Sequence, residues 1–178
     1  MNTPPRTLPL TPTPTLTLTR DAVYGILSTV MDPEVPVISV VDLGIIRDAV
    51  VNGGTVHVTV TPTYSGCPAM HEIESDIRSA LLAGGAHEVL VDTVFAPAWT
   101  TDWIGPEARE KLRAYGIAPP GRAEPQGLIT LTRARTPVAC PFCGSSDTRL
   151  QSEFGSTACK AIHVCNSCRQ PFDEFKAF

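Results

Sequence analysis

The sequence predicts an α+β fold: a small α-β-β-α-β domain followed by a compact, cysteine-rich β ribbon. Three observations carry this. Two segments with helical apolar spacing bracket a pair of strand-like runs joined by Asn52-Gly53-Gly54, and a third strand-like run follows the second helix. The end of the chain then holds two C-x-x-C pairs, Cys140/Cys143 and Cys165/Cys168, with 21 residues between them.

The elements follow in order. Residues 1–19 contain twelve Thr or Pro, offer no hydrophobic period and read as a disordered tail. Thr19 can cap a helix in which Val23, Ile26, Leu27 and Val30 fall at i, i+3, i+4 and i+7, so a helix is expected over roughly 20–31, ended by Asp32-Pro33. After the loop DPEVPV, IIRDAVV and TVHVTVT form the two arms of a hairpin; Val56, Val58 and Val60 alternate with His57 and Thr59 and give one buried face. Met70, Ile73, Ile77 and Leu81 make one face of a second helix, which Gly84-Gly85 stops before the strand EVLVDTVF. The first domain therefore spans 20–104. A short helix opened by Gly105-Pro106 and closed at Gly116, then a Pro/Gly-rich linker, fill 105–136. Residues 137–178 are too few to bury a stable core unaided and call for a metal staple.

Composition narrows the function. The 178 residues carry a net charge of −4 and few aromatics, which leaves no electrostatic footprint for nucleic acid or an anionic membrane. No apolar run reaches membrane-spanning length and no secretory signal opens the chain, so a cytoplasmic location is expected. In a reducing cytosol, six cysteines arranged in this way point to metal or redox chemistry rather than disulfides.

A tight C-x-x-C turn places two thiolates about 4 Å apart and directs backbone N–H groups at the sulfurs, which is what a tetrahedral zinc site requires. Cys140, Cys143, Cys165 and Cys168 are thus the expected ligands of a structural Zn2+, making the C-terminal unit a zinc ribbon. The same donor set also serves a [2Fe–2S] or rubredoxin-like iron site, and a dithiol redox pair is a weaker alternative. Cys159 stands outside both pairs. It is either a small buried hydrophobe or a second thiol, partnered by Lys160, for transient metal or cluster transfer. His163 is expected on the surface of a ribbon strand.

Cys67, in TPTYSGCPAM, lies between a strand end and a helix start. There the helix dipole and unpaired N–H groups should favour a reactive thiolate. Asp32 and Glu34 of DPEVP, Asp42 of VVDLG and the hydroxyls of Thr61 and Thr63 are its candidate companions. The sequence has no Ser-His-Asp order, G-x-G-x-x-G, P-loop or H-E-x-x-H, so hydrolase, dinucleotide and nucleotide functions have no support.

The run DPEVPVISVVDLGIIRDAVV with TPTYSGCPAM resembles the iron–sulfur assembly domain of SufT-type bacterial proteins and of the eukaryotic cytosolic iron–sulfur targeting factors. With AWTTDWI, GIAPP and CPFCGS…SEFGSTACKAIHVC…C…PFDEFK added, residues 20–178 resemble the PaaD family, accessory subunits of the phenylacetyl-CoA 1,2-epoxidase system. The resemblance implies a cytoplasmic, non-catalytic maturation subunit in aerobic phenylacetate catabolism. It implies assistance with an iron–sulfur cluster, or iron, in a partner such as the flavin/[2Fe–2S] reductase. The alternative is a stoichiometric structural subunit with no transfer role, and a homodimer is the default assembly for a domain of this size.

Overall fold

The computed structural model describes residues 18–121 and 137–177. The expected N-terminal tail therefore lies outside the described residues except for its last two, and both belong to the folded unit. Leu18 packs against the core, and the Thr19 side chain accepts from Ala22 N at 3.2 Å to cap α1 (Arg20–Leu27). Most of the expected linker, 122–136, also lies outside the described residues.

Helix α1 ends earlier than its spacing predicts. Ser28 and Thr29 turn their hydroxyls back onto the carbonyls of Tyr24 and Ile26, at 2.8 and 2.7 Å, and this competition with the helical ladder ends the helix before Asp32-Pro33 is reached. The hairpin forms as expected: β1 (Ile46–Asn52) pairs antiparallel with β2 (Thr55–Val60) across Gly53-Gly54, both at positive φ. Helix α2 (Met70–Ala83) then returns the chain so that β3 (Glu88–Thr93) lies parallel to β2. The sheet order β1-β2-β3 puts Val56, Val58 and Val60 on a fully buried face, against Val23 and Leu27 of α1 and Ile73, Ile77 and Leu81 of α2. Each such side chain contributes roughly 1.5–3 kcal/mol of burial.

Two loops close over this layer. Gly44, at φ +73°, brings its Cα so close to Trp103 that a Cβ would meet Trp103 Cβ at 2.8 Å, so the DLG turn needs glycine for both reasons. Arg47 stacks over the Trp103 ring at 4.0 Å. Helix α3 (Pro106–Tyr115) is followed by β4 (Ile117–Ala118), and Arg109 pins both by donating to the carbonyls of Ile104, Pro120 and Thr101.

The segment read as the start of a linker is thus part of a second sheet. β4 pairs parallel with β7 (Pro171–Phe175), which pairs with β6 (Lys160–Cys165), which pairs with β5 (Thr148–Ser152). This ribbon shares the core of the first domain. Phe175 and Cys159 belong to the same apolar cluster as Leu27 and Ile77, and the Phe175 ring sits 6.2 Å from that of Trp99, whose Nε1 donates to Leu43 O at 3.0 Å. A smaller cluster, Ala118, Cys140, Cys165 and Phe172, fills the ribbon itself.

Candidate functional sites

The ribbon cysteines converge. Cys140 Sγ lies 3.7 Å from Cys168 Sγ, Cys143 Sγ lies 3.6 Å from Cys165 Sγ, and all four sulfurs are within 4.8 Å of one another. A tetrahedral ion with metal–sulfur bonds of about 2.3 Å needs sulfurs about 3.8 Å apart, so the donor set fits a metal of zinc's size and softness. Each knuckle is a backbone device. Gly144 N donates to Cys140 O at 2.9 Å and Arg169 N to Cys165 O at 3.0 Å, and Arg169 holds at φ 66° the left-handed position that Gly144 holds at 76°. Ser145 and Ser167 join the two turns through a 2.8 Å hydroxyl contact. The Cys168 N–H bond, helped by the sulfurs around it, brings the Cys165 thiol down to about 6. At Cys143 the Ser145 N–H is outweighed by burial and by neighbouring sulfurs, and the thiol is pushed up to about 12. Four sulfurs this close cannot ionise independently, and a divalent cation relieves that conflict.

A second group of donors forms where the two sheets meet. The Asp32 carboxylate turns inward and accepts from Glu34 N and Val35 N, both at 2.8 Å, which folds DPEVP into a tight loop. Against this loop the ribbon sets Lys160, whose Nζ donates to Glu34 O at 3.3 Å, and Cys159, whose Sγ lies 3.8 Å from Glu34 Oε2 and 3.0 Å from Thr157 Oγ1. Cys67 sits on the β2–α2 loop, half-buried against the same core. The Tyr64 phenol is pushed up chiefly by burial, with Cys67, Glu34 and Cys159 adding to it. Carboxylates 32 and 34 act on both Cys67 and Cys159.

Several expectations are corrected here. Cys67 is three residues ahead of α2, where the N–H groups of Ala69 and Met70 favour its thiolate, yet the thiol is raised rather than lowered. Burial outweighs those bonds, and Glu34 and Asp32 add to it. Cys159 is raised in the same way, chiefly by burial. Both are therefore neutral thiols at pH 7. Asp42 is not a companion of Cys67. Its carboxylate accepts from Ser39 N at 3.1 Å and from Lys111 Nζ at 2.6 Å, and so ties the DLG turn to α3. His163 is buried, not on the surface: its ring stacks on Phe172 at 5.5 Å and its Nε2 lies 2.7 Å from Glu174 Oε2. Thr61 is buried with its Oγ1 unbonded, so its hydroxyl does not reach the Cys67 sulfur, and Thr63 is half-buried on the same loop.

Sequence reasoning missed Tyr64 and the docking role of Trp99, Phe175 and Lys160. An aromatic three residues before a cysteine and a lysine beside one are weak local signals, because the lysine's meaning depends on the ribbon meeting the Asp32–Glu34 loop, 126 residues away.

This architecture places the chain among proteins that couple an iron–sulfur assembly domain to a metal ribbon. Residues 20–91 match the family model described as iron–sulfur cluster assembly protein, and residues 124–176 match the PaaD zinc β-ribbon domain. The chain is 47% identical over 154 residues to an Escherichia coli (strain K12) protein named as a component of 1,2-phenylacetyl-CoA epoxidase, covering 86% of this chain and 90% of that one. It is 38% identical to a Fe–S protein maturation auxiliary factor of Porphyromonas gingivalis (strain ATCC BAA-308 / W83), across 53% of this chain and 90% of the relative. A second such factor, from Bacillus subtilis (strain 168), is 33% identical across 52% of this chain and 92% of its own length. The chain belongs to the PaaD family of phenylacetyl-CoA epoxidase subunits.

Proposed function

We propose that this chain is a cytoplasmic maturation subunit of a phenylacetyl-CoA epoxidase system, with no turnover of its own, which helps load iron or an iron–sulfur cluster into a partner subunit. The flavin/[2Fe–2S] reductase is the client that the family resemblance suggests. The observation that carries this reading is the position of Cys67. Its thiol stands on an accessible loop of the assembly domain, half-buried beside the Asp32–Glu34 loop. A soft sulfur flanked by carboxylates suits an iron cargo that must be both taken up and released. The ribbon cysteines Cys140, Cys143, Cys165 and Cys168 would hold a resident Zn2+, which supplies a four-fold crosslink and no reaction chemistry. Asp32 organises the loop, and Glu34 offers a carboxylate to the cargo; Thr63 is a lesser candidate beside them.

The test is Cys67→Ser in a strain that co-expresses the epoxidase components. Fold, zinc content and client binding should be unchanged, because serine is nearly isosteric at this turn. Iron and acid-labile sulfide in the reductase should fall severalfold, and phenylacetyl-CoA-dependent turnover should fall with them. Normal cluster content in that strain would leave a stoichiometric structural subunit as the better account.

A further inference from the structure

Phe154 is the most exposed large apolar side chain among the described residues, at 67%, yet the loop that carries it is fastened on both sides. The Ser152 hydroxyl donates to Phe154 O at 2.8 Å and accepts from Phe154 N at 3.2 Å. Gly155 N donates to Lys160 O at 2.9 Å, and a Cβ at Gly155 would meet Lys160 Cβ at 3.1 Å, so the loop lies close against the start of β6. Lys176, just beyond β7, ties the other side. Its N donates to Cys159 O at 2.9 Å, its Nζ donates to Glu153 O at 3.2 Å, and the same ammonium stands over the Phe154 ring at 4.8 Å from the centroid. Other exposed apolar groups are accounted for locally. The Phe142 ring rests against Gly116, and Val50 and Leu90 face outward from a sheet with one buried face. An aromatic ring held out to water by a fixed loop, with a cation on one face, serves nothing inside the described fold. Its position is already set, so a partner that covers it is spared most of the ordering cost of binding.

We propose that Phe154 and Lys176 are the anchor by which this chain docks on its client subunit, the ring entering an apolar pocket of the client and the Lys176 ammonium meeting a carboxylate at that pocket's rim. This rests on the reading of the chain as a maturation subunit with a protein client, and names the surface the client covers. The charge selects the partner. An ammonium has three N–H donors and Lys176 gives one to the Glu153 carbonyl, so burying it beside the ring calls for an anionic acceptor from outside. A second copy of the chain is the wrong shape of charge, because a two-fold axis through this loop would set one Lys176 against the other. The place also suits the role. The loop runs directly into Cys159 and Lys160, which meet Glu34 at 3.8 and 3.3 Å, so a client seated on it stands next to the Asp32–Glu34 loop.

The test uses the full, zinc-loaded chain, titrated calorimetrically into each purified component of the epoxidase system in turn, the reductase first, at low and high salt. Phe154→Ala should weaken binding roughly tenfold or more, with zinc content and melting unchanged because the ring lies on the surface. Lys176→Met should weaken binding by a smaller factor and flatten its dependence on salt, whereas Lys176→Arg should keep both near wild type. Wild-type affinity in Phe154→Ala overturns the anchor and leaves the client reading standing. A wild-type chain that binds none of the components overturns the client reading and the anchor with it. Two further outcomes would give the ring another occupant and also overturn the anchor: a wild-type dimer that Phe154→Ala splits in sedimentation, which assigns it to a second copy, and a Phe154→Ala chain that melts several degrees lower, which assigns it to a segment of this chain outside the described residues.

Discussion

In the ribbon, four sulfurs crowd within 4.8 Å and their knuckles are set by backbone hydrogen bonds to each turn. At the junction between the sheets, Cys159 and Lys160 meet the Asp32–Glu34 loop and Cys67 lies on the neighbouring β2–α2 loop, and among the described residues no three such donors close on one another there. The ribbon splits its thiols, one brought down to about 6 and another pushed up to about 12, whereas the junction raises both of its own. The contrast teaches that the number of cysteines matters less than what surrounds them. Closely spaced sulfurs cannot ionise independently, a conflict that a divalent cation relieves, whereas thiols buried beside carboxylates stay protonated.

The strongest way to break the comparison is to open the closed site. Cys165→Ser should abolish zinc retention and unfold the ribbon. The damage should also spread into the first domain, because Phe175 and Cys159 are part of its core. Hydrogen exchange across β2 and α2, together with zinc analysis, checks this; unchanged protection there would show that the two units are energetically independent.

Removing the joint rather than the metal tests the other half. Phe175→Ala takes away a ring that is 2% exposed and packed at a tilt against Trp99, and should cost about 3–5 kcal/mol. The ribbon should keep its zinc, while Cys159 becomes open to alkylation in native protein. Urea unfolding followed by mass mapping of the alkylated cysteines measures both, and a protected Cys159 would mean that other contacts dock the ribbon.

The smallest effect sharpens the electrostatics. Cys67 and Cys159 are raised in the folded state, so the stability gained by keeping them neutral is fully present below the unfolded thiol value of about 8.5 and is lost as pH rises through their higher folded values. In metal-free handling at pH 7.5, Cys67 should react with iodoacetamide more slowly than a free cysteine, and its rate should still be climbing above pH 9. A Cys67 rate that levels off near neutral pH would restore the helix-activated thiolate.

Much of this molecule can be read from local pattern. The alternation of Val56, Val58 and Val60, the Asn52-Gly53-Gly54 turn, the helical spacing from Met70 to Leu81 and the paired C-x-x-C turns each depend on neighbours a few residues away. For that reason the order α-β-β-α-β and the four-sulfur cluster are legible in the residues themselves. The helix-dipole argument at Cys67 is sound as local physics: the N–H groups of Ala69 and Met70 do favour its thiolate. It points in the wrong direction because desolvation is set by how densely distant segments surround a site.

Only the tertiary structure decided what lies between the two sheets. Cys159 has no spacing that ties it to Cys67, yet Trp99, Phe175 and Lys160 bring it to the Asp32–Glu34 loop; Ile117–Ala118, in a segment that reads as linker, becomes the edge of the ribbon sheet. The physical reason is range. Turns, helix faces and metal knuckles are closed by short loops whose geometry the residue types themselves dictate, while the junction is assembled from segments more than a hundred residues apart whose meeting depends on the whole apolar core.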